Sequence, residues 1–206
     1  MRVRERRVTF DSVLDVAEHL ANRSGLQALS LVLIAKELGI RSPSLYNHID
    51  GLASLKRELA LKGLREFTRN VLQAMAGKSG DDAIRAFCYT TRDFAKVRPG
   101  LYEAMQLPRS KADRELHAAV REFGGTIGAA LSAYHLEPTS ARYLMRIVRS
   151  MTYGFITLEK NEGFSRDLDI EESFSYMVEW FISTLNRKQS LVPRAAKALK
   201  RAMPHA

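Results

Sequence analysis

The stretch "ELGIRSPSLYNHI", Glu37 to Ile49, constrains the fold of this chain more than any other. Gly39, Ser42, Pro43 and Ser44 crowd together where a loop would normally be expected. Yet apolar residues flank them at helical spacing. Leu31, Ile34, Ala35 and Leu38 form one helix face behind Ser30, which has the chemistry of an N-cap. Gly39 supplies a left-handed stop, and Ile40 the apolar residue that commonly follows it. Ser42 then reads as a second N-cap and Pro43 as an N1 residue, where a missing N–H costs nothing. The pattern is therefore stop, tight turn, restart.

The restarted helix is expected over Pro43–Ile49. Leu45 and Ile49 point toward Ala35 and Leu38, which leaves Ser44, Asn47 and His48 together on the outer face with Tyr46 at the flank. A preceding helix opens at Thr9 and carries Phe10, Val13, Leu14, Ala17, Leu20 and Ala21 before stopping near Ser24-Gly25. Three helices joined by one tight turn are the logic of a helix-turn-helix. The outer side chains suit base edges, and the Tyr and His suit phosphates.

Charge agrees with a polyanionic partner. The net charge of +9 is unevenly spread. Residues 1–70 contribute +4 and residues 187–206 contribute +6, while the middle is close to neutral. Neutralising phosphates releases counterions, so basic ends favour nucleic acid. Arg2, Arg4, Arg6 and Arg7 precede the first helix, and the tail "SLVPRAAKALKRAMPHA" reads as a basic amphipathic or solvated segment. A single Cys88 leaves no internal disulfide framework and fits a reducing compartment. There is no apolar run of membrane-spanning length and no signal core after the N-terminus, so a cytoplasmic protein without a membrane partner is expected.

The remainder also reads as helices. A fourth starts near Gly51 and reaches Met75, and "AGKSGDD" breaks it. A fifth carries Ile84, Phe87, Cys88, Phe94 and Ala95, and "RPGLYEAMQLP" is a short element between prolines. A long helix is expected over roughly Lys111–His135, with Gly124, Gly125 and Gly128 marking a kink or a close approach of another backbone. No strand precedes these glycines, which argues against a dinucleotide loop. Two further helices follow Pro138 and Asp169. Their apolar stripes include Ile147, Met151 and Phe155 on one, and Phe174, Met177, Val178, Phe181, Ile182 and Leu185 on the other. Such wide stripes want a large partner surface, either the core of this chain or a second copy of it. The fold class is all-α. The expected domains are a reading head at 1–54, a larger helical domain at 55–188 and a basic tail at 189–206.

No catalytic constellation is visible. The five histidines are scattered, no His/Cys/carboxylate set has metal-ligand spacing, and Cys88 lies mid-helix among aromatics. Neither enzyme, metal nor cofactor is expected. The competing classes are an all-helical enzyme with a discontinuous site and a helical adaptor for another protein. Phe87, Phe94, Tyr102, Met105, Phe123, Tyr143 and Met151 are candidate pocket residues for a mostly apolar small-molecule effector.

Residues of about 9–60 resemble the N-terminal domain of the TetR family of bacterial transcriptional repressors. The matching stretch is "GLQALSLVLIAKELGIRSPSLYNHIDGLASLKREL", Gly25 to Leu59. The resemblance implies that Ser30 contacts phosphate from the start of the second helix. It implies that Ser42, Pro43, Ser44 and Asn47 face bases while Tyr46 and His48 grip the backbone; Arg41 joins this DNA-binding set. Many family members carry a lysine where this chain has Leu52, with Lys56 nearby. "MTYGFITLEKNEGF", Met151 to Phe164, is similar to a subfamily named for a Trp…His-Gly motif, with Gly154 matching and Tyr153 in place of the His. The family implies a homodimer through its last two core helices, a palindromic double-stranded operator, and release by the effector.

Overall fold

The computed structural model describes residues 8–165 and 167–186, and every regular element among them is helical. The helices are α1 (Phe10–Ser24), α2 (Leu31–Leu38), α3 (Ser42–Leu45), α4 (Leu52–Met75), α5 (Gly80–Val97), α6 (Pro99–Ala104), α7 (Arg114–Ser132), α8 (Pro138–Lys160) and α9 (Ile170–Asn186). A 3-10 turn, Leu26–Ala28, sits between α1 and α2. Arg187, Lys188, the basic tail and the N-terminal arginines lie outside the described residues.

The caps follow local chemistry. The Thr9 hydroxyl accepts from the Ser12 N–H at 3.2 Å, and the Ser12 hydroxyl returns the bond to the Thr9 backbone, closing a capping box around α1. Asp169 accepts from the Glu172 N–H at 2.8 Å and opens α9. The α7 helix begins later than the expected Lys111, because Asp113 is its cap: its carboxylate accepts from the Leu116 N–H at 3.0 Å. It also ends before the expected His135, which adopts a left-handed φ of 49°.

The chain forms two compact units. The first takes in residues up to Asn70 together with Asp93–Phe123; the second takes in Val71–Arg92 and the chain from Gly124 onward. The helices α4, α5 and α7 each contribute to both.

In the first unit, Phe67 is fully buried and packs on Phe94 and Phe123, each ring centre 5.1 Å away. The closest approach is between α1 and α6. A Cβ built on Gly100 would lie 2.5 Å from the Ala21 carbonyl carbon and 2.6 Å from its Cβ. Ion pairs surround this core. Lys62 bridges to Asp15 at 2.9 Å and Glu18 at 2.8 Å, joining α4 to α1. Arg57 holds Asp113 through two bonds of 2.6 and 2.8 Å and reaches Glu115 at 2.9 Å, joining α4 to the start of α7.

In the second unit, Phe174, Val178, Phe181, Ile182 and Leu185 form the buried side of α9. Phe155 of α8 packs edge-on against Phe174, centroids 5.0 Å apart. Arg92 is buried with only 3% of its side chain exposed, yet it is fully engaged. Its guanidinium donates to Glu159 at 2.6 and 2.8 Å and to Glu171 at 2.6 and 2.9 Å, and lies 4.7 Å from the Phe174 ring centre.

The α7 glycines do not mark a close approach within this unit. A Cβ on Gly125 or Gly128 would meet nothing within 4 Å, and one on Gly124 would make only an ordinary contact with Met145.

These environments separate two kinds of glycine. Gly100→Ala forces α6 away from α1 and should cost about 1–3 kcal/mol, as overpacking does. Gly125→Ala should stabilise by about 0.5–1 kcal/mol, because alanine loses less chain entropy in a helix interior. Urea midpoints of both variants check this pair. Acid should act through Asp113, whose carboxyl the Arg57 guanidinium holds down to about 2. A depressed value means its contribution is complete above the ordinary carboxylate range and is lost as pH falls toward 2. Asp113→Asn should therefore lower stability at pH 7 and shrink the difference in urea midpoint between pH 7 and pH 3.

Candidate nucleic-acid interface

The site begins with Ser30, whose hydroxyl accepts from the Leu33 N–H at 3.3 Å and caps α2. Ile34 and Ala35 bury one face of that helix. Gly39 ends it in the left-handed region, φ 70°, and the Ile40 N–H closes back on the Ala35 carbonyl at 3.0 Å.

The recognition segment differs from its expected form in two respects. The residue at the cap is Arg41, whose carbonyl accepts from the Ser44 N–H at 2.9 Å, so Ser42 and Pro43 lie inside the first turn. The α-helix ends at Leu45 rather than continuing to Ile49. Beyond it the path tightens: Tyr46, Asn47 and His48 donate to the carbonyls three residues back, at 3.3, 3.3 and 2.9 Å. Such a turn places side chains three apart above one another, so Ser44 and Asn47 share one side.

Two buried anchors hold the segment. Leu45 is completely buried and Ile49 nearly so. Between and before them, Arg41, Pro43, Tyr46 and Asn47 are exposed, while Ser42, Ser44 and His48 are half-buried. Lys36, Arg41 and Lys56 have no carboxylate partner among the described residues, in contrast to Arg57, Lys62 and Arg98 deeper in the unit. The result is a hydrogen-bonding ridge flanked by uncompensated cations, the chemistry that suits base edges and phosphates.

Two further side chains bear on this head, and neither was singled out from sequence. Asn22 of α1 accepts from the Gly100 N–H at the start of α6, at 2.9 Å. Glu103 of α6 accepts from the Leu26 N–H after α1, also at 2.9 Å. Asn22 thus satisfies an orphan donor at the start of α6, and Glu103 one at the start of the 3-10 turn that follows α1. The only sequence signal was "RPGL", a glycine beside a proline.

The candidate pocket residues divide between the units. Phe94, Tyr102, Met105 and Phe123 are buried in the first. Phe87 is buried in the second, where Tyr143 is half exposed and Met151 half-buried. The first unit contains a cavity of about 200 Å³ between α4, α6 and the 107–113 segment, walled by Ala60, Leu64, Met105, Leu116, Arg57 and Arg109 among others. Met105 is the one expected pocket residue in that wall.

Of the expected dimer set, Phe155, Phe174, Val178, Phe181, Ile182 and Leu185 are buried in the core of their own unit, with Phe174 at 0% exposure. Ile147 is exposed, and Met151 and Met177 are half-buried. The apolar side chains that do reach solvent on these helices include Tyr143, Leu158, Tyr176 and Trp180.

No group of three or more His, Cys, Asp or Glu able to hold a metal occurs among the described residues. Cys88 is buried, and burial pushes its thiol up to about 12, far from a nucleophile's range. No helix among the described residues is long and apolar enough to cross a membrane.

Comparison with known proteins decides the family. The model of the tetracyclin repressor-like C-terminal domain matches residues 84–181. The HTH-type transcriptional regulator YobS of Bacillus subtilis is 32% identical over 180 residues, covering 86% of this chain and 93% of that protein. The chain belongs to the TetR family of transcriptional regulators. Its fold is also that of TetR from Acinetobacter baumannii (TM-score 0.65, 18% identity, 88% of this chain and 98% of that one). The transcriptional regulator FadR of Bacillus subtilis, solved in complex with stearoyl-CoA, is similar as well (TM-score 0.66, 11% identity, 85% and 98%). Family and relatives are regulators of transcription, not enzymes.

The reciprocal caps make a local prediction. Glu103→Ala should speed amide hydrogen exchange at Leu26, and Asn22→Ala at Gly100, each by about fivefold for a lost bond of about 1 kcal/mol. Exchange at Ile34, inside α2, should be unchanged in both.

Proposed function

We propose that this regulator is a cytoplasmic repressor that binds an inverted-repeat operator as a homodimer and releases it when a small, mostly apolar effector binds. The observation that carries the DNA reading is the ridge from Arg41 to His48, held over buried Leu45 and Ile49 and bordered by unpaired Lys36, Arg41 and Lys56. The reading head proper is residues 1–54, with 55–188 serving effector binding and dimerisation.

On this reading Ser30, Tyr46 and His48 contact phosphates, and Arg41 adds charge beside them. Ser42, Pro43, Ser44 and Asn47 meet the bases. Two copies of the segment enter successive major grooves about 34 Å apart. The dimer forms through the solvent-facing apolar residues of α8 and α9: Tyr143, Ile147, Met151 and Leu158 with Tyr176, Met177 and Trp180. The 200 Å³ cavity fits an effector about the size of one substituted ring, since a 150 Å³ apolar cavity accepts benzene. FadR's stearoyl-CoA shows how far larger the ligands of structurally similar regulators can be.

Three measurements test the proposal. Gel shifts on the DNA upstream of its own gene should show binding that weakens steeply with salt, and no binding at low salt would end the DNA reading. Asn47→Ala should cost about 1–3 kcal/mol per half-site and relax preference at one base pair, because its amide suits paired bonds to adenine. Tyr46→Phe should weaken specific and non-specific sites together. Binding-site selection on both variants checks the division, and a motif altered by Tyr46→Phe but not by Asn47→Ala would reverse it. Finally, a compound found by thermal shift should lower operator affinity by the factor by which operator lowers its own.

A further inference from the structure

The cavity of the first unit has two unlike halves. Its floor is apolar and dry: Ala60, Leu64, Ala104, Met105 and Leu116 line it, and none is more than 5% exposed. Two of these wall positions, Ala60 on α4 and Ala104 at the end of α6, are alanine, which leaves room between the helices. Gly63 sets how closely they approach, since a Cβ there would lie 3.0 Å from the Leu101 carbonyl oxygen and 3.1 Å from Met105 Cγ. The polar lining residues are Arg57, Arg109, Ser110 and Asp113. Each of them reaches solvent, so they form the mouth.

The charges at that mouth are already answered. Arg57 donates Nε–H to Asp113 at 2.6 Å, two Nη2–H bonds to Asp113 and Glu115 at 2.8 and 2.9 Å, and one Nη1–H bond to Glu58. Asp113 also accepts from the Leu116 N–H at 3.0 Å, and the Arg57 guanidinium holds its carboxyl down to about 2, so it is ionised near neutral pH. Glu115 is shared with Arg65 at 2.9 Å, and Arg109 is engaged as well.

What the mouth still offers is hydrogen-bond donors. A guanidinium carries five N–H groups. The second N–H on Arg57 Nη1 has no acceptor among the described residues. The Ser110 hydroxyl accepts from the Ala112 N–H at 3.3 Å, and its own O–H has no acceptor among the described residues. Two donors and no unanswered charge stand over an apolar floor.

We propose that this cavity takes an uncharged ring compound bearing one carbonyl oxygen, with the ring on the floor and the oxygen on the spare Arg57 and Ser110 donors. This rests on the effector reading above and names the chemical class of the ligand. A carboxylate of the same size would come beside Asp113, Glu58 and Glu115 and would have to compete with them for Arg57. An ammonium would come beside Arg57 and lose its hydration over an apolar floor. A hydrocarbon would fill the floor but cover the donors without pairing them. Sites built to hydrogen-bond a ligand reject analogues that lack the polar group more strongly than a pocket rejects a change of one methylene. The contact also lies on α4 about one and a half turns after Leu52, where that helix begins, and on the residue that fastens α4 to the start of α7.

Four probes of one size test this on the full chain by calorimetric titration: acetophenone, ethylbenzene, benzoate and benzylamine. Acetophenone should bind at least as tightly as ethylbenzene, although its carbonyl must give up water; a cavity without donors would favour ethylbenzene by about tenfold or more. Benzoate and protonated benzylamine should each bind at least about tenfold more weakly than acetophenone. Tighter binding of any of the other three than of acetophenone would overturn the proposal. Arg57→Lys should cut the acetophenone-to-ethylbenzene affinity ratio about tenfold, because three ammonium N–H groups are taken by Asp113, Glu115 and Glu58. Ethylbenzene binding by this variant reports that the cavity still forms, and an unchanged ratio would overturn the role of Arg57. Ala53→Leu, at an exposed position of the lining, should weaken acetophenone and ethylbenzene alike, and unchanged affinities would place their site elsewhere. No binding of any probe at millimolar concentration would overturn site and class together. If acetophenone binds as expected yet operator affinity is unchanged by it, the ligand class stands and the effector reading of the cavity falls.

Discussion

The first unit depends on one missing methyl group. Gly100 lets α6 lie directly on the last turn of α1, closer to Ala21 than any other residue would allow. Two bonds exist only because of that approach. The Asn22 amide oxygen reaches the Gly100 N–H, and the Glu103 carboxylate reaches the Leu26 N–H. Both donors are of the kind that a helix leaves without an internal partner at its start. A six-residue helix has little stability of its own. Here it is held by α1 through Asn22 and in turn holds the 3-10 turn after α1 through Glu103, so α1 and α6 cannot shift apart without breaking both bonds. The orientation of α1, and with it the packing that supports the recognition segment, is therefore set from a part of the chain some eighty residues away.

Ion pairs extend the same logic with different weights. Lys62 and Arg57 lie at partly exposed positions, where individual pairs contribute little and salt screens them. Their value lies in registration, since α4 is fastened to α1 by one and to the start of α7 by the other. Arg92 is a different case. A buried guanidinium is costly unless both carboxylates remain, and it has two acids and an aromatic face. It fixes the end of α8 and the start of α9 to α5. Those are the two helices whose outer faces are proposed to meet a second copy, so their relative placement is set before association rather than by it.

Much of this was legible in the sequence, and what was not has physical causes. Helix existence came from apolar periodicity, and Thr9, Ser30, Gly39 and Asp169 punctuate where local chemistry says they should. Periodicity identifies an apolar stripe, but not which of two stripes on one helix meets its own chain. On α9, Phe174, Val178 and Phe181 turned inward and left Tyr176 and Trp180 outside. The Asn22 and Glu103 caps could not be seen because their donors are remote in sequence. The α7 glycines look like a packing signal, but nothing in their own unit approaches them closely.

The recognition segment shows why a short element suffices for reading. Four residues of α-helix and a tightened turn have almost no intrinsic stability. Leu45 and Ile49 anchor its two ends in the core, so the side chains between them are positioned by packing and not by helix length. Tightening from four-residue to three-residue bonds also changes what is presented. In a regular helix Ser44, Asn47 and His48 would spread across one broad face. With the Asn47 N–H bonded to the Ser44 carbonyl, these two side chains come into line while His48 rotates toward the flank and is half-buried. The ridge available to bases is therefore narrow, with Asn47 as its amide and Ser44 beside it. That narrowness argues for few direct base contacts per half-site, with the remaining affinity drawn from phosphates around Ser30, Arg41 and Tyr46.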